Sequence, residues 1–454
     1  MEAQTKFAIG RCEMKFRGLF LLMAALGCTM AAEQEVLTIE EAVRLAAERY
    51  PDVARAQAAA EGLKGKIREV RSQALPNVSI NANGMRMRDP SFLNASGLDK
   101  FPEELRKVMV PSPVNLFDYS ISVRQPLYTA GKVGTALRIA SIESEGAEVD
   151  VDRARQDLSV EVVRACYGLL WAEHYKLLVE EIQKQRKMHA DMARQRFQNG
   201  VATEVDVLRS EVALANVTPD LVRADNNVRQ ARALLNFYLG RPLDFPTRIA
   251  GDFQKQPWEQ WDLEKLSLEA LRSRPELQRL RIAERSAEAQ LQLAEAESKM
   301  RADFSGAYGL ASRYPEKLID PLYARWSVGV SFTLPVFDGF RRNGLVQQAV
   351  AQQRATRLER EKTEQQVRLG LQRALDDIRA AQQTVEAARA NISQAERVLT
   401  MMQENYKYGA ATTLDIVDAQ TALAEARTNL LRGLYDYSVA RANLLWTAGK
   451  NPWE

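Results

Sequence analysis

Two stretches of this chain, Lys132–Asn199 and Arg341–Tyr408, each run for 68 residues without a proline, and this excludes most compact folds. A helix drawn through either would be roughly 100 Å long at 1.5 Å per residue. Such a helix needs a coiled-coil partner along its length. The second stretch carries the seam for one: Val367, Leu371, Ala374, Ile378, Ala381, Val385, Ala388, Ile392, Ala395, Leu399 and Met402 recur at spacings of four and three. Large residues alternate with alanine over most of that run, so neighbouring helices can approach closely. In the first stretch the same register reads Leu158, Val162, Ala165, Leu169 and Ala172, then lapses at Lys176.

The two stretches belong to an internal duplication. FQNGVATEVDVL (197–208) aligns with YKYGAATTLDIV (406–417), so Gly200 matches Gly409, Thr203 matches Thr412 and Asp206 matches Asp415, an offset of 209. Pro126 and Pro335 share that offset, as do Gly240 and Gly449. Upstream, LTIEEAVRLAAERYPDV (37–53) resembles LSLEALRSRPEL (266–277). The first repeat is placed at 37–240, with strands near 75–88 and 115–126 and helices near 131–199 and 203–239. The second is placed at 265–449, with strands near 301–311 and 324–335 and helices near 340–408 and 412–448. Between them, 241–264 carries Pro242, Pro246 and Pro257 and reads as an irregular linker, with Trp258 and Trp261 packed against a neighbour.

Strict period-two alternation marks the strands. In Arg325–Leu334, Trp326, Val328, Val330, Phe332 and Leu334 share one face, with Arg325, Ser327, Gly329, Ser331 and Thr333 on the other. Tyr119, Ile121 and Val123 alternate likewise with Asp118, Ser120, Ser122 and Arg124. Strands of about 9–11 residues suffice to cross a bilayer when tilted. Four strands per chain cannot close a barrel, and lipid tolerates no open sheet edge, so closure requires several chains. The fold class is therefore mainly α with a transmembrane β part: long antiparallel helical hairpins hung from strands of an oligomeric barrel. Residues 89–115 and 312–324 are the loops at the far ends of the strands.

The N-terminus supports an exported protein. Met14, Lys15 and Arg17 precede the apolar run Leu19–Leu26, so residues 1–32 read as a signal peptide whose true start is Met14 if the first 13 residues are not translated. Cleavage after Ala31 or Ala32 and lipidation at Cys28 are the alternatives. Cys166 stands alone on a helical pattern, so no disulfide framework or zinc site is expected. His174 and His189 are about 22 Å apart on one helix, too far to share a metal. The net charge of +3 has no basic cluster with interleaved aromatics, which argues against nucleic acid. No GxSxG, P-loop, HExxH or CxxC pattern is present. Neither catalysis nor a cofactor or metal is expected.

The duplication, the Y/F-x-x-G-x-x-T-x-x-D loops and the strand-ending PLYTAGK (126–132) and PVFDGFRR (335–342) together resemble the TolC-type outer-membrane efflux family, from LTIEEAV to LLWTAGK. The resemblance implies a homotrimer: twelve strands and twelve helices forming one tube through outer-membrane lipid and the periplasm. It also implies partners, a periplasmic adaptor and an inner-membrane transporter, that serve either an efflux pump or type I secretion. A periplasmic or surface coiled-coil rod without a channel is the rival reading, and it leaves the alternating strands unexplained.

At the loops, Gly200 and Gly409 fit the left-handed residue that ends a helix, and Thr203 and Thr412 fit as N-caps with Asp206 and Asp415 three residues on. The resemblance implies that Asn199, Gly200, Val201, Gly409, Ala410 and Ala411 form a periplasmic tip that meets the adaptor. It puts the gate on Asp206, Tyr406, Asp415 and Asp418. Clustered carboxylates at a narrow pore would repel and raise some of their pKa values. Several relatives carry an arginine where this chain has Ala411, so a latch built on that residue is not expected here; Arg209, at the place matching Asp418, is a candidate replacement.

Overall fold

A computed structural model describes residues 36–88, 101–109, 112–253, 258 and 260–453. The signal peptide, Cys28 and residues 89–100 of the first inter-strand loop lie outside these.

The two halves repeat one plan. Helices α1 (Ile39–Arg49) and α2 (Pro51–Ser72) lead to strands β2 (Asn77–Met87) and β3 (Val114–Tyr128), then to α4 (Lys132–Gln198). A short strand β1 (Val36–Leu37) precedes them, and a short helix α3 (Glu103–Met109) lies between β2 and β3. In the second half, α7 (Leu263–Ser273) and α8 (Pro275–Ala296) lead to β5 (Arg301–Ser312), β6 (Ala324–Thr333) and α9 (Arg341–Lys407). The long helices α4 and α9 have 67 residues each and are displaced by 209, but α1 and α7, and α2 and α8, are displaced by 224. The difference of 15 is the extra length of the loop between β2 and β3 over the loop between β5 and β6.

Each long helix is answered by a returning helix, and here the halves differ. A single helix over 203–239 is expected from the pattern. The chain instead forms α5 (Glu204–Ala215) and α6 (Val217–Tyr238), broken at Asn216. Pro219 is the reason: it has no N–H for the Ala215 carbonyl four residues back, and its ring crowds that carbonyl. The matching position in the second half is Thr428, and there α10 (Thr413–Thr447) runs without a break. Among its described residues the linker holds β4 (Arg248–Ile249), which pairs in parallel with β1, and its last two residues already belong to α7. Within it Trp258 stacks on Tyr437 at 6.0 Å, and Trp261 packs against the second core.

Strands and helices meet at two matched junctions. Ala130 and Gly131 have φ of 51° and 84°, and Gly339 and Phe340 have 65° and 66°. Two successive left-handed residues turn the chain from sheet to helix; such residues are costly away from glycine. The first helical residues, Lys132 and Arg341, both pair with Glu297 just after α8. One carboxylate thus ties both junctions together, and these two cations hold its pKa down against the upward pull of burial.

The two largest cores among the described residues gather around the long helices. Leu169, Val162 and Cys166 of α4 pack with Leu235, Leu239 and α1. Leu371 and Ile378 of α9 pack with Leu444, Leu277 and α7. The α9 seam continues through Leu399 to Tyr406, where it meets Ile416 and Leu423 of α10. In α4 the seam is interrupted at Lys176, whose side chain reaches Asp225 of α6 at 2.7 Å, and it resumes at Val179, which packs with Val217 and Ala224 of α6, and at the buried Ala190 and Ala193. Among the described residues, no helix is long and apolar enough to cross a membrane.

The four long strands form one antiparallel sheet in the order β2-β3-β5-β6. Its register puts Ile80, Ile121, Tyr308 and Trp326 in one row, and Val78, Val123, Gly306 and Val328 in the next such row. The rows between them hold Ser79, Ser122, Ala307 and Ser327, and Asn81, Ser120, Gly309 and Arg325. Over these rows one face is apolar and the other polar; toward the loop end of β2 and β3 the pattern reverses, with Arg86 paired to Asn115 and Met85 to Leu116. On the polar face Arg325 reaches Asp118 at 2.7 Å.

Candidate functional site

The far ends of the two hairpins carry the candidate site, and the same backbone device builds both. At the end of α4 the Gly200 N–H donates to Phe197 O at 2.9 Å and Val201 N–H to Arg196 O at 2.9 Å. At the end of α9 the Gly409 N–H donates to Tyr406 O at 3.2 Å and Ala410 N–H to Asn405 O at 2.8 Å. Gly200 and Gly409 take φ of 74° and 78°, the conformation that lets these last carbonyls be satisfied. The next helices start on matched capping boxes. The Thr203 hydroxyl and N–H donate to the Asp206 carboxylate at 2.7 and 3.0 Å, and the Asp206 N–H donates back to that hydroxyl at 3.3 Å. Thr412 and Asp415 repeat this at 2.7, 2.7 and 3.3 Å. Asn199, Val201 and Ala410 are exposed around the turns, and Ala411 is half-buried against the α9–α10 core.

These bonds decide the state of the aspartates. Mutual repulsion would raise their pKa values, but within the chain the effect is the reverse. The Thr203 hydroxyl, with its N–H next, holds Asp206 below the ordinary carboxylate value; Thr413 and Arg209 push the same way. The Thr412 N–H, then its hydroxyl, does the same for Asp415. A depressed folded pKa contributes stability above the unfolded value and loses it as pH falls through the folded value. Both helix starts are therefore firm at neutral pH and weaken only below the usual aspartate range. Thr203→Ala should cost about 1 kcal/mol at this helix start. Amide exchange at residues 204–207 should speed up while exchange in the α4 core stays unchanged.

Asp418 is exposed one turn beyond Asp415 on α10, and Arg209 is exposed at the matching place on α5. Tyr406 is buried, with its hydroxyl 3.3 Å from Thr413 Oγ1. The structure adds residues that the sequence reading does not single out. The Arg196 guanidinium lies 4.4 Å over the Tyr406 ring and donates from Nη1 to Tyr406 O at 2.8 Å. His189 is buried 5.7 Å from the same ring, and burial lowers its pKa. These three border a cavity of about 480 Å³ between α4, α9 and α10. Higher up, Arg186 donates to Ala213 O at 3.0 Å and Thr421 Oγ1 at 3.1 Å. Arg427 pairs with Glu181 at 2.8 Å and Glu396 at 3.0 Å. Nothing in helical spacing reveals these arginines, because each bridges helices from different halves of the chain.

A family model described as outer membrane efflux protein matches residues 42–241 and 266–450, which takes in both hairpins and all four sheet strands. The chain belongs to the outer membrane efflux protein family. TolC of Escherichia coli strain K12 is 21% identical over 430 residues, covering 92% of this chain and 82% of TolC. The alkaline protease secretion protein AprF of Pseudomonas aeruginosa is 21% identical, covering 73% of this chain and 69% of AprF. Among solved structures, CusC superposes with a TM-score of 0.78 at 15% identity, covering 91% of this chain and 92% of CusC. VceC of Vibrio cholerae superposes with a TM-score of 0.73 at 18% identity, over 91% and 96%. This fold, a helical barrel continued by a β-barrel, is that of outer-membrane channels, and the family places the chain in the outer membrane with its helices in the periplasm. It serves as an exit channel.

Proposed function

We propose that three copies of this chain close their sheets into a twelve-stranded barrel and their hairpins into a single tube. A periplasmic adaptor seats on Asn199–Val201 and Gly409–Ala411, and an inner-membrane transporter passes cargo through the tube without chemical change. The gate lies at Asp206, Tyr406, Asp415 and Asp418, at the tube's narrow end.

The observation that carries the reading is the open sheet. Strands β2 and β6 are its two edges, and β6 is exposed on both faces along its whole length. An unpaired edge does not persist in lipid, and single-chain barrels begin at about eight strands, so these edges must meet other copies. The exposed carboxylates of Asp415 and Asp418 supply the negative charge for a cation-binding ring.

The test has two parts. Native mass measurement of detergent-extracted protein should give three chains; a monomer would overturn the barrel. In planar bilayers, added trivalent cation should block the wild-type channel, and Asp415→Asn with Asp418→Asn should weaken that block at least tenfold. Equal block in both would remove the acidic ring from the gate.

A further inference from the structure

The last turn of α4 carries a contact between the two hairpins close to their loops. The hairpins α4–α5 and α9–α10 come from opposite halves of the chain, so any relative movement of the two must break the bonds between them. Three arginines make such bonds: Arg427 to Glu181, Arg186 to Thr421, and Arg196 to Tyr406. Arg196 is nearest the loops and holds Tyr406 twice, by the 2.8 Å bond to its carbonyl and by stacking at 4.4 Å on its ring.

We infer that Arg196 is the tip latch of this chain, holding the α9–α10 hairpin against α4 in the closed state. The inference rests on the gate proposed above and assigns its holding residue. Ala411 leaves the second loop without a side chain for that task, and Arg209, the candidate replacement, is exposed on α5.

The surroundings favour a strong contact. Tyr406 is only 8% exposed, and its hydroxyl is tied to the fully buried Thr413. The ring is therefore fixed by α10 while its face is offered to α4. Around this ring the cavity is bordered by amides, Met188, Met192 and Lys407, with no carboxylate among its lining residues to draw Arg196 away. A half-buried guanidinium over an aromatic face gains from such stacking, and a charged donor strengthens the bond to the carbonyl. Tyr406 O also accepts from Gly409 N–H. Arg196 therefore touches the carbonyl on which the second loop is folded, and releasing it loosens that loop as well.

Arg196 is a positioning residue, so its test reads gating rather than folding. Purified full-length trimers are recorded in planar bilayers as wild type, Arg196→Ala and Arg196→Lys. Arg196→Ala should raise the open-to-closed ratio about tenfold per chain, and Arg196→Lys should restore part of the closure because a cation keeps the carbonyl bond. Trimer content and melting temperature of Arg196→Ala should match wild type. If wild type conducts and Arg196→Ala gates identically, the latch is wrong while the channel stands. A wild type that never conducts fails the channel itself. If Arg196→Lys is as open as Arg196→Ala, charge is not what holds the tip.

Discussion

Val328→Arg will remove the trimer from the outer membrane, and Ser327→Arg, one residue earlier, will not. Val328 is at the middle of β6, in the row with Val78, Val123 and Gly306. It is 64% exposed in the single chain, so replacing it destroys little packing. In a water-soluble sheet an arginine there would be near neutral, within about 0.5 kcal/mol. On a lipid face, arginine near the bilayer midplane costs about 2–4 kcal/mol. A trimer carries the change three times, for a total of about 6–12 kcal/mol, comparable to the whole stability of an ordinary domain. Ser327 lies in the row of Ser79, Ser122 and Ala307 on the opposite, polar face. There an added arginine points into water and is absorbed. The measurement is the amount of heat-dissociable trimer in isolated outer membranes for the two variants. Equal amounts would mean that the Val328 face does not meet lipid, and the sheet would need another covering layer.

Much of this architecture is legible in the sequence because it is written in periods. A 68-residue proline-free run leaves few alternatives to a long helix, and a period of two over Arg325–Leu334 fixes which face is apolar before any partner strand is known. The duplication is readable because its landmarks are residues with special backbone duties: Gly200 and Gly409 in left-handed turns, and Thr203 and Thr412 with their aspartates. The break at Asn216 was also within reach, since Pro219 is plainly in the sequence. It is easily overlooked because the apolar pattern continues across it. The arginine bridges were not legible. Arg196 and Tyr406 are 210 positions apart, and neither the α4 nor the α9 period encodes which residue faces which across the two hairpins. The downward pull on the Asp206 and Asp415 pKa values comes from cap bonds within one chain. Repulsion between carboxylates is a property of an assembled ring, whereas the cap bonds are local, short and present in every copy.

Gly309→Ala should prevent the sheet from closing its β3–β5 ladder, although the change adds one carbon on the polar face. A Cβ at Gly309 would lie 2.2 Å from Tyr119 O and 2.6 Å from Ser120 Cβ, far inside contact distance. Tyr119 and Ser120 cannot simply move aside. They sit in β3, which is paired to β2 on its other side through Ala82 and Asn81. The glycine also leaves the space over which Arg325 of β6 reaches past β5 to Asp118 of β3 at 2.7 Å. Forcing atoms into a well-packed region costs about 1–3 kcal/mol even where neighbours relax, and here the obstructing atoms are mostly backbone. Because each chain of the proposed trimer carries the lesion, the expected result is a loss of most folded trimer. Gly329→Ala is the control. It stands on the same polar face of β6, in line with Arg124 and Ser305, yet nothing lies within 4 Å of its added carbon. Thermal dissociation of the two purified variants separates the cases. A Gly309→Ala trimer melting with Gly329→Ala would mean that β3 and β5 are not in this close contact in the assembled barrel. A large gap would show that the bare backbone at Gly309 is what lets the four strands lie tightly enough to pass on to the next copy.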